Sequence, residues 1–403
     1  MRRKVIWNSL GTGFNAFLSL FFMIIATRIN GLDEAGIFTF AFSMACLLYI
    51  VGTYAGRIYQ VTDISNLTDN DFIVSRIITC LLMIILSILF VIFNKYNLHK
   101  SAIFIALTLY KAVEAFSDVF YGIMQKNEKI ENVGKSYFIK SFVGIIAFLL
   151  VDLFTKNIFV SCASIVITNI ILTIIYDYNI VMHISKINVV VNKENVKTLL
   201  KNGFIVFVIT FVTVFVVNIP KYAIDRNLSD NLQAIFGIIM MPATVISLFA
   251  QFVIHPVLTN ITKMCEEKNY RDLKKLMNKI MLIILSIGLI SSIAGYIIGI
   301  PVLEFIYNVD LSKYQINLFV ILIAATISAT AGIISPFLIA LRHNLSQFFI
   351  GLSLIVIETI LCFALVKLNG ISGVCIAYLI SMIYNFILFY IVAYMKINKK
   401  IKE

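Results

Sequence analysis

Residues 72–94 read FIVSRIITCLLMIILSILFVIFN, and stretches of this kind decide the fold class. A helix of this length rises about 35 Å, which is enough to cross the roughly 30 Å hydrocarbon core of a bilayer. Similar runs recur along the 403 residues and raise the hydrophobic share to 60%, against about 45–50% in a soluble domain. The sequence therefore predicts an all-α membrane protein.

Twelve apolar runs are long enough to be transmembrane helices. Their predicted bounds are 8–29, 35–56, 72–94, 101–124, 137–155, 157–179, 203–220, 232–258, 277–299, 315–341, 346–367 and 371–395. The least distinct boundaries are at 152–156 and near 342. The longest polar gap divides the chain into an N-terminal lobe of six helices at 1–180, a linker at 181–202 and a second six-helix lobe at 203–403. Within this linker, 192–200 is expected to form a helix at the membrane surface.

Most of the 33 Lys and Arg residues fall in or beside loops on the side of the N-terminus, Arg76 and Lys140 being counted among them. Loops rich in Lys and Arg stay in the cytoplasm, so both termini are predicted to be cytoplasmic. The formal net charge of +12 is thereby assigned to orientation and to contact with anionic membrane lipid, and nucleic-acid binding is not expected. The first run lacks a cleavage site and is interpreted as a retained helix.

Residue patterns typical of enzymes and metal sites do not occur in the sequence. The six Cys and four His residues are dispersed and form no CxxC pair, which predicts neither a disulfide framework nor a metal site. Walker A, HExxH and GxSxG patterns are absent, and no long loop is predicted on the outer side. We therefore expect no catalytic residues and no cofactor.

The fourth predicted span carries charges inside the membrane, where each costs about 2.5–3.5 kcal/mol on insertion scales. Lys111, Glu114, Asp118 and Gln125 are spaced so that all four share one helix face. Such a face either lines a cavity or locks helices together through a Lys111–Glu114 pair. The third charge, Asp118, leaves an excess carboxylate and favours the cavity.

A second charged cluster follows Pro220, where Lys221 and Asp225 are one helical turn apart and Arg226 is adjacent. These residues form either an interfacial ion pair or, with Arg28 at the end of the first span, a cationic ring at the outer mouth. Arginine suits phosphate groups because its guanidinium is a planar fork.

Two further charges lie in other predicted spans. Arg57 lies near the inner end of the second span. Its side chain either extends to the membrane–water interface or has a functional role in the protein. Glu358 lies midway along the eleventh span without an obvious local partner and is a candidate for proton coupling.

An internal repeat is indicated by sliding the chain by about 198 residues, as expected for transporters built from two halves. Arg28 then falls on Arg226, Ile37-Phe38 on Ile235-Phe236, and Arg57 on His255. With six spans in each half, both halves have the same orientation, so the repeat would be parallel.

Four stretches carry a family resemblance. They are RINGLDEAGIF at 28–38, GRIYQVTD at 56–63, DVFYGIMQK at 118–126 with GKS at 134–136, and PKYAID at 220–225. In these stretches the chain resembles the O-antigen and polysaccharide repeat-unit flippases of the multidrug/oligosaccharidyl-lipid/polysaccharide exporter superfamily. The resemblance implies a V-shaped bundle of two six-helix lobes, like that of the multidrug exporters of this superfamily, around a central cavity.

The same resemblance implies a function in the bacterial inner membrane. The implied substrate is an oligosaccharide repeat unit of O-antigen or capsule type on undecaprenyl diphosphate. It would move from the cytoplasmic to the periplasmic leaflet by alternating access coupled to an ion gradient. A polysaccharide polymerase and a chain-length regulator are the implied protein partners.

Site residues follow from the charges and this resemblance together. The predicted substrate-binding residues are Arg28, Arg57, Lys111, Gln125, Lys221 and Arg226. The predicted ion-coupling or charge-pairing residues are Glu114, Asp118, Asp225 and Glu358. Two alternatives stay open, a drug or small-cation exporter of the same fold and a membrane enzyme of polysaccharide assembly. The excess of Lys and Arg at these positions argues against the first, and the short outer loops argue against the second.

Overall fold

The computed structural model describes residues 2–54, 56–62, 67–185, 187, 190–341 and 343–402, and no residue in these ranges lies in a strand. The helices are α1 Arg2–Ala16, α2 Leu18–Asn30, α3 Leu32–Thr53, α4 Gly56–Thr62, α5 Asp69–Asn94, α6 Leu98–Lys126, α7 Ile130–Thr155, α8 Ile158–Leu172, α9 Asn179–Met182, α10 Lys193–Asn227, α11 Asp230–Ile254, α12 Leu258–Glu266, α13 Tyr270–Tyr307, α14 Gln315–Ala340 and α15 Asn344–Lys402. A π-helical segment, Thr173–Tyr178, joins α8 to α9.

Ten helical stretches in the described ranges are long and apolar enough to cross a membrane. The last of them contains two helices, because Asn369 and Gly370 depart from helical geometry inside α15. The 29-residue helix α6 is also of spanning length, although it carries charges in its interior. With these additions the described helices agree with the twelve predicted spans, and the predicted all-α membrane fold is confirmed.

The break predicted at 152–156 has a clear local cause. Lys156 is in the left-handed region with a φ of 47°, and the Asn157 side chain accepts hydrogen bonds from the first backbone N–H groups of α8. At the other indistinct boundary, Arg342 lies outside the described residues, between the end of α14 and the start of α15.

The predicted stretch 192–200 is helical from Lys193 onward, but it does not form a separate surface helix. It is the start of α10, which continues without interruption to Asn227 and contains Pro220. Val196 and Leu199 are buried, and the Asn195 side chain donates to Asp71 Oδ2 at 3.0 Å. These contacts hold the first turns of α10 against the N-terminal helices, so this segment forms part of a packed core.

The chain separates into two compact units, Met1–Val214 and Phe215–Glu403, hereafter the N-terminal and C-terminal units. α10 contributes to both. The lobe and linker bounds drawn from the sequence stay a prediction. Arg28 lies in the last turn of α2 and Arg226 in the last turn of α10, the equivalence that the repeat predicts.

Helix α6 is the centre of the N-terminal unit. It packs against α3, α5 and α8, and most of its side chains are buried. Elsewhere in this unit, α1 crosses α7 where Gly11 meets Gly134. A Cβ atom on Gly134 would overlap the backbone of Trp7 and lie 2.5 Å from the Asn8 nitrogen. The absence of a side chain at Gly134 therefore permits the two helix backbones to touch.

In the C-terminal unit α14 takes the central place, between α11, α13 and α15. Side chains of α14 pack against glycines of α13. A Cβ on Gly288 would lie 2.8 Å from Thr326 Cβ, and one on Gly299 would lie 2.7 Å from Leu318 Cδ2. The outward faces are apolar, as lipid contact requires. Ile290 and Ile297, for example, are exposed on α13.

Candidate functional site

The predicted Lys111–Glu114 pair is present inside the N-terminal unit. The Lys111 Nζ lies 2.7 Å from Glu114 Oε2, and the two side chains are 11% and 15% exposed. The ammonium also lies over the rings of Phe42 at 4.9 Å and Tyr110 at 5.4 Å from their centroids. The cation is therefore held by one carboxylate and by aromatic faces, which attract cations through their quadrupoles.

Asp118, one turn further along α6, pairs with a residue that the sequence analysis assigned to another role. The Arg76 Nη2 on α5 lies 3.3 Å from Asp118 Oδ2, and both side chains are buried. Nη1 of the same guanidinium donates to the Ala115 carbonyl at 3.0 Å. The carboxylate that the sequence analysis counted as an excess charge is therefore balanced, and Arg76 is part of the interior.

Arg57 lies on the short helix α4 and is half-buried. Its Nη1 is shielded and has no hydrogen-bond partner within the part of the chain that the structure describes. Three residues later, Gln60 is fully buried and donates to the Val119 carbonyl at 3.1 Å, in the space that Gly122 leaves open. This bond fixes α4, the helix that carries Arg57, against α6.

Four of the predicted site residues act electrostatically on one phenol. Tyr137 on α7 is within electrostatic range of Arg57, Lys111, Glu114 and Asp118. We call these four residues the α6 charge cluster. The structure thus brings together residues from two separate stretches of sequence, 56–63 and 101–124.

The remaining predicted residues of this unit lie apart from the α6 charge cluster. Gln125 is half-buried at the C-terminal end of α6, about 10 Å along the helix from Asp118. Arg28 is exposed in the last turn of α2. At the same end of the unit, His99 Nε2 lies 2.9 Å from Glu34 Oε2.

The ion pair between Lys140 and Asp177 is another buried pair that the sequence analysis missed. The Lys140 Nζ donates to Asp177 Oδ2 at 2.5 Å, to Ser117 Oγ at 2.7 Å and to Thr173 Oγ1 at 2.8 Å. Ser136 donates to the other oxygen of Asp177 at 2.6 Å. Asp177 belongs to the π-helical segment, a rare form that is frequent at functional sites. The available signal was a lone acidic residue inside the predicted span 157–179.

In the C-terminal unit, the charges that follow Pro220 lie on the last turns of α10. Lys221 and Asp225 are half-buried one turn apart, while Arg226 is exposed. The Arg226 guanidinium lies over the Tyr222 ring at 5.6 Å from its centroid, and its Nε donates to the Tyr222 hydroxyl at 3.3 Å. The predicted pairing of Lys221 with Asp225 and the cationic ring stay predictions.

Glu358 is fully buried in the first half of α15. Neither of its carboxyl oxygens has a hydrogen-bond partner among the described residues. Cys362 and Tyr378 are within electrostatic range of it. An ionised carboxylate in such apolar surroundings is costly unless a proton or a cation accompanies it. Across the described residues, no three His, Cys, Asp or Glu side chains converge to hold a metal ion.

Comparison with known proteins identifies the family. A family model described as "Polysaccharide biosynthesis protein" matches residues 1–262, which is more than half of the chain. The chain belongs to this family. Its relatives include the capsular polysaccharide biosynthesis protein CapF of Staphylococcus aureus, which is 21% identical over 392 residues, covering 93% of this chain and 95% of CapF.

Solved structures with the same fold are transporters and a flippase. An inward-facing multidrug resistance MATE family transporter of the MOP superfamily matches with a TM-score of 0.75 and 12% identity, covering 99% of both chains. The lipid II flippase MurJ in an inward closed conformation also has a TM-score of 0.75, with 17% identity over 98% of this chain and 90% of MurJ. The family resemblance and the fold class drawn from the sequence are confirmed, and the chain is a multi-pass membrane protein.

Proposed function

We propose that this protein is a flippase for a lipid-linked saccharide. Its substrate would be an oligosaccharide repeat unit of O-antigen or capsule type on undecaprenyl diphosphate. The unit would move from the cytoplasmic to the periplasmic leaflet of a bacterial inner membrane by alternating access. The α6 charge cluster carries this proposal, because it places cationic side chains within a membrane-spanning unit of a polysaccharide biosynthesis protein.

Arg57 is the best-supported phosphate ligand in the cluster. Its Nη1 is a shielded donor without an acceptor among the described residues, and a diphosphate oxygen would satisfy it. Lys111 would bind the second phosphate by exchanging its Glu114 partner for the substrate. A bound anion would therefore compete with Glu114 for one ammonium, and release of the anion would restore the ion pair.

The other predicted substrate residues take supporting roles in this proposal. Gln125 would hydrogen-bond sugar hydroxyls at the inner end of α6. Arg28, Lys221 and Arg226 would attract the diphosphate at the outer ends of α2 and α10. A polysaccharide polymerase and a chain-length regulator would receive the exported unit.

Ion coupling is assigned first to Glu358. Its fully buried carboxyl group has no hydrogen-bond partner in the described part of the chain, so binding of a proton or a small cation there would offset the cost of the charge. Glu114, Asp118 and Asp225 are the other proposed coupling residues. The same feature favours the alternative function, a drug or small-cation exporter, since a carboxyl group of this kind would also attract a cationic substrate.

The test is complementation of a strain that makes the cognate repeat unit but lacks its flippase, with surface polysaccharide measured on gels. We expect wild type to restore export and Arg57→Gln to lose most of it at equal membrane levels. Lys197→Gln is the matched control, because it removes one exposed cation near the start of α10. Failure of wild type would overturn the flippase proposal, and full export by Arg57→Gln would remove Arg57 from the site.

A further inference from the structure

A cavity of about 450 Å³ lies at one end of the C-terminal unit, between the start of α13 and the end of α15. It is lined by Lys268, Asn269, Tyr270, Arg271, Lys400 and Ile401. Small-molecule sites in proteins commonly measure about 300–1,000 Å³, so this cavity has room for a polar headgroup. None of the predicted site residues contributes to it.

The walls of the cavity are held in place by a hydrogen bond and a cation–π contact of Lys274, and by buried apolar residues beneath them. The Lys274 Nζ donates to Asn398 Oδ1 at 2.8 Å and lies 3.8 Å from the centroid of the Tyr394 ring. Leu273 and Ile397 are fully buried in the same region. The first turns of α13 are therefore fixed against the last turns of α15, and the cavity is a formed feature of the unit.

The lining is cationic. Lys268, Arg271 and Lys400 contribute positive charge, and none of the acidic side chains that the structure describes lines the cavity. Two of the neighbouring acids pair with other cations: a Glu267 carboxylate oxygen lies 3.7 Å from Lys263 Nζ, and an Asp272 carboxylate oxygen lies 3.1 Å from Lys275 Nζ. Lys268 and Arg271 form no ion pair within the ranges that the structure describes. The cavity therefore has the electrostatics of an anion site.

The cavity lies beyond the end of the hydrocarbon core. The uncharged stretch 280–300 of α13 spans about 32 Å, the thickness of the hydrocarbon core, and Arg271 precedes it by nine residues. On α15, Lys400 is four residues beyond Lys396, the first charge after the apolar run, or about 6 Å further along the helix. The backbone of the cationic lining thus lies beyond the hydrocarbon core, about 6 Å past Lys396 on α15 and about 14 Å past the uncharged stretch on α13. Lys and Arg side chains are long enough to extend back from there toward lipid phosphates.

We propose that this cavity binds the phosphate of an anionic phospholipid of the surrounding bilayer. Basic pockets between transmembrane helices at the cytoplasmic surface commonly hold such headgroups. The guanidinium of Arg271 would bind the phosphate as a fork, with Lys268 and Lys400 as point charges beside it. This binding is separate from transport of the saccharide substrate and does not depend on the proposed function.

The test is native mass spectrometry of the purified protein titrated with phosphatidylglycerol, with phosphatidylethanolamine as the zwitterionic comparison. The test variant is Lys268→Gln/Arg271→Gln/Lys400→Gln. The control is Lys193→Gln/Lys197→Gln/Lys201→Gln, which removes three exposed cations from the start of α10. If the test variant does not fold, Arg271→Gln alone replaces it.

We expect wild type and control to bind one phosphatidylglycerol in preference to phosphatidylethanolamine, and the test variant to bind it about tenfold more weakly. Equal affinity in the test variant, or an equal loss in the control, would overturn the proposal, since the charges would then act only on the bulk surface. Displacement of the lipid by inorganic pyrophosphate at similar concentration would also overturn it, because it would identify a site for soluble or substrate diphosphate.

Discussion

Replacement of Arg76 by methionine should destabilise the protein strongly, because it leaves the Asp118 carboxylate buried without its partner. The two charged groups are 3.3 Å apart and their side chains are 6% and 9% exposed. At an effective dielectric constant of about 20 their attraction is on the order of 5 kcal/mol. Removal of one partner from a buried ion pair typically costs about 3–5 kcal/mol.

The double variant Arg76→Met/Asp118→Leu separates the ion pair from the packing. Apolar residues of similar volume often replace a buried ion pair with little loss of stability. We therefore expect the double variant to unfold within about 1 kcal/mol of wild type, and each single variant to be about 3 kcal/mol or more less stable. The assay is equilibrium unfolding in mixed detergent micelles, followed by circular dichroism.

Two results would refute this reasoning about stability. One is an Arg76→Met variant as stable as wild type, and the other is a double variant no more stable than the singles. Export by the double variant then tests the role of Asp118. If it folds but does not restore surface polysaccharide, the proposed coupling role of Asp118 gains support. If it restores export, Asp118 serves only to pair with Arg76.

Three other changes give distinct outcomes. The Glu358→Gln variant should unfold at the same or a higher temperature than wild type, because it removes a buried carboxyl group that has no hydrogen-bond partner among the described residues. It should nevertheless lower export about tenfold or more. Normal export by this variant would remove Glu358 from ion coupling. The Gly134→Ala variant should lower the free energy of unfolding by about 1–3 kcal/mol in the same assay, because the new Cβ atom overlaps the backbone of α1. The control is Gly144→Ala on the same helix. Its Cβ atom meets nothing within 4 Å, so this variant should be as stable as wild type or more stable. Lys140→Met should reduce the amount of folded protein seen by size-exclusion chromatography, and Lys140→Met/Asp177→Leu should recover it; equal losses in both would show that the bond between these two groups is not what stabilises the unit.

The helices were predictable because hydrocarbon thickness imposes a length on them. The predicted break between the last two spans appears at Asn369 and Gly370. Gly370 has a φ of 55°, which is outside the helical region, so one helix ends there and the next begins. The pairing of Lys111 with Glu114 was also accessible, since residues three apart on a helix are neighbours. Such features depend on local spacing, which a sequence displays directly.

Charges that meet across helices were not predictable in this way. Arg76 and Asp118 are 42 residues apart, so no spacing rule joins α5 to α6. Arg76 and Lys140 were counted with the orienting cations because they lie near the ends of their spans. Their carboxylate partners become visible only when the helices are packed, and the same holds for the approach of Arg57 to Tyr137, around which the charges of α6 also lie.

The bond between Lys140 and Asp177 has a consequence for biogenesis. These residues are 37 positions apart and belong to successive hydrophobic segments. At about 5–20 residues per second, a ribosome delivers Asp177 roughly 2–7 s after Lys140. During that interval α7 carries an unbalanced cation that lipid would not accept at low cost. α7 should therefore stay at the insertion machinery until the next segment arrives, and the two should enter the bilayer as a hairpin.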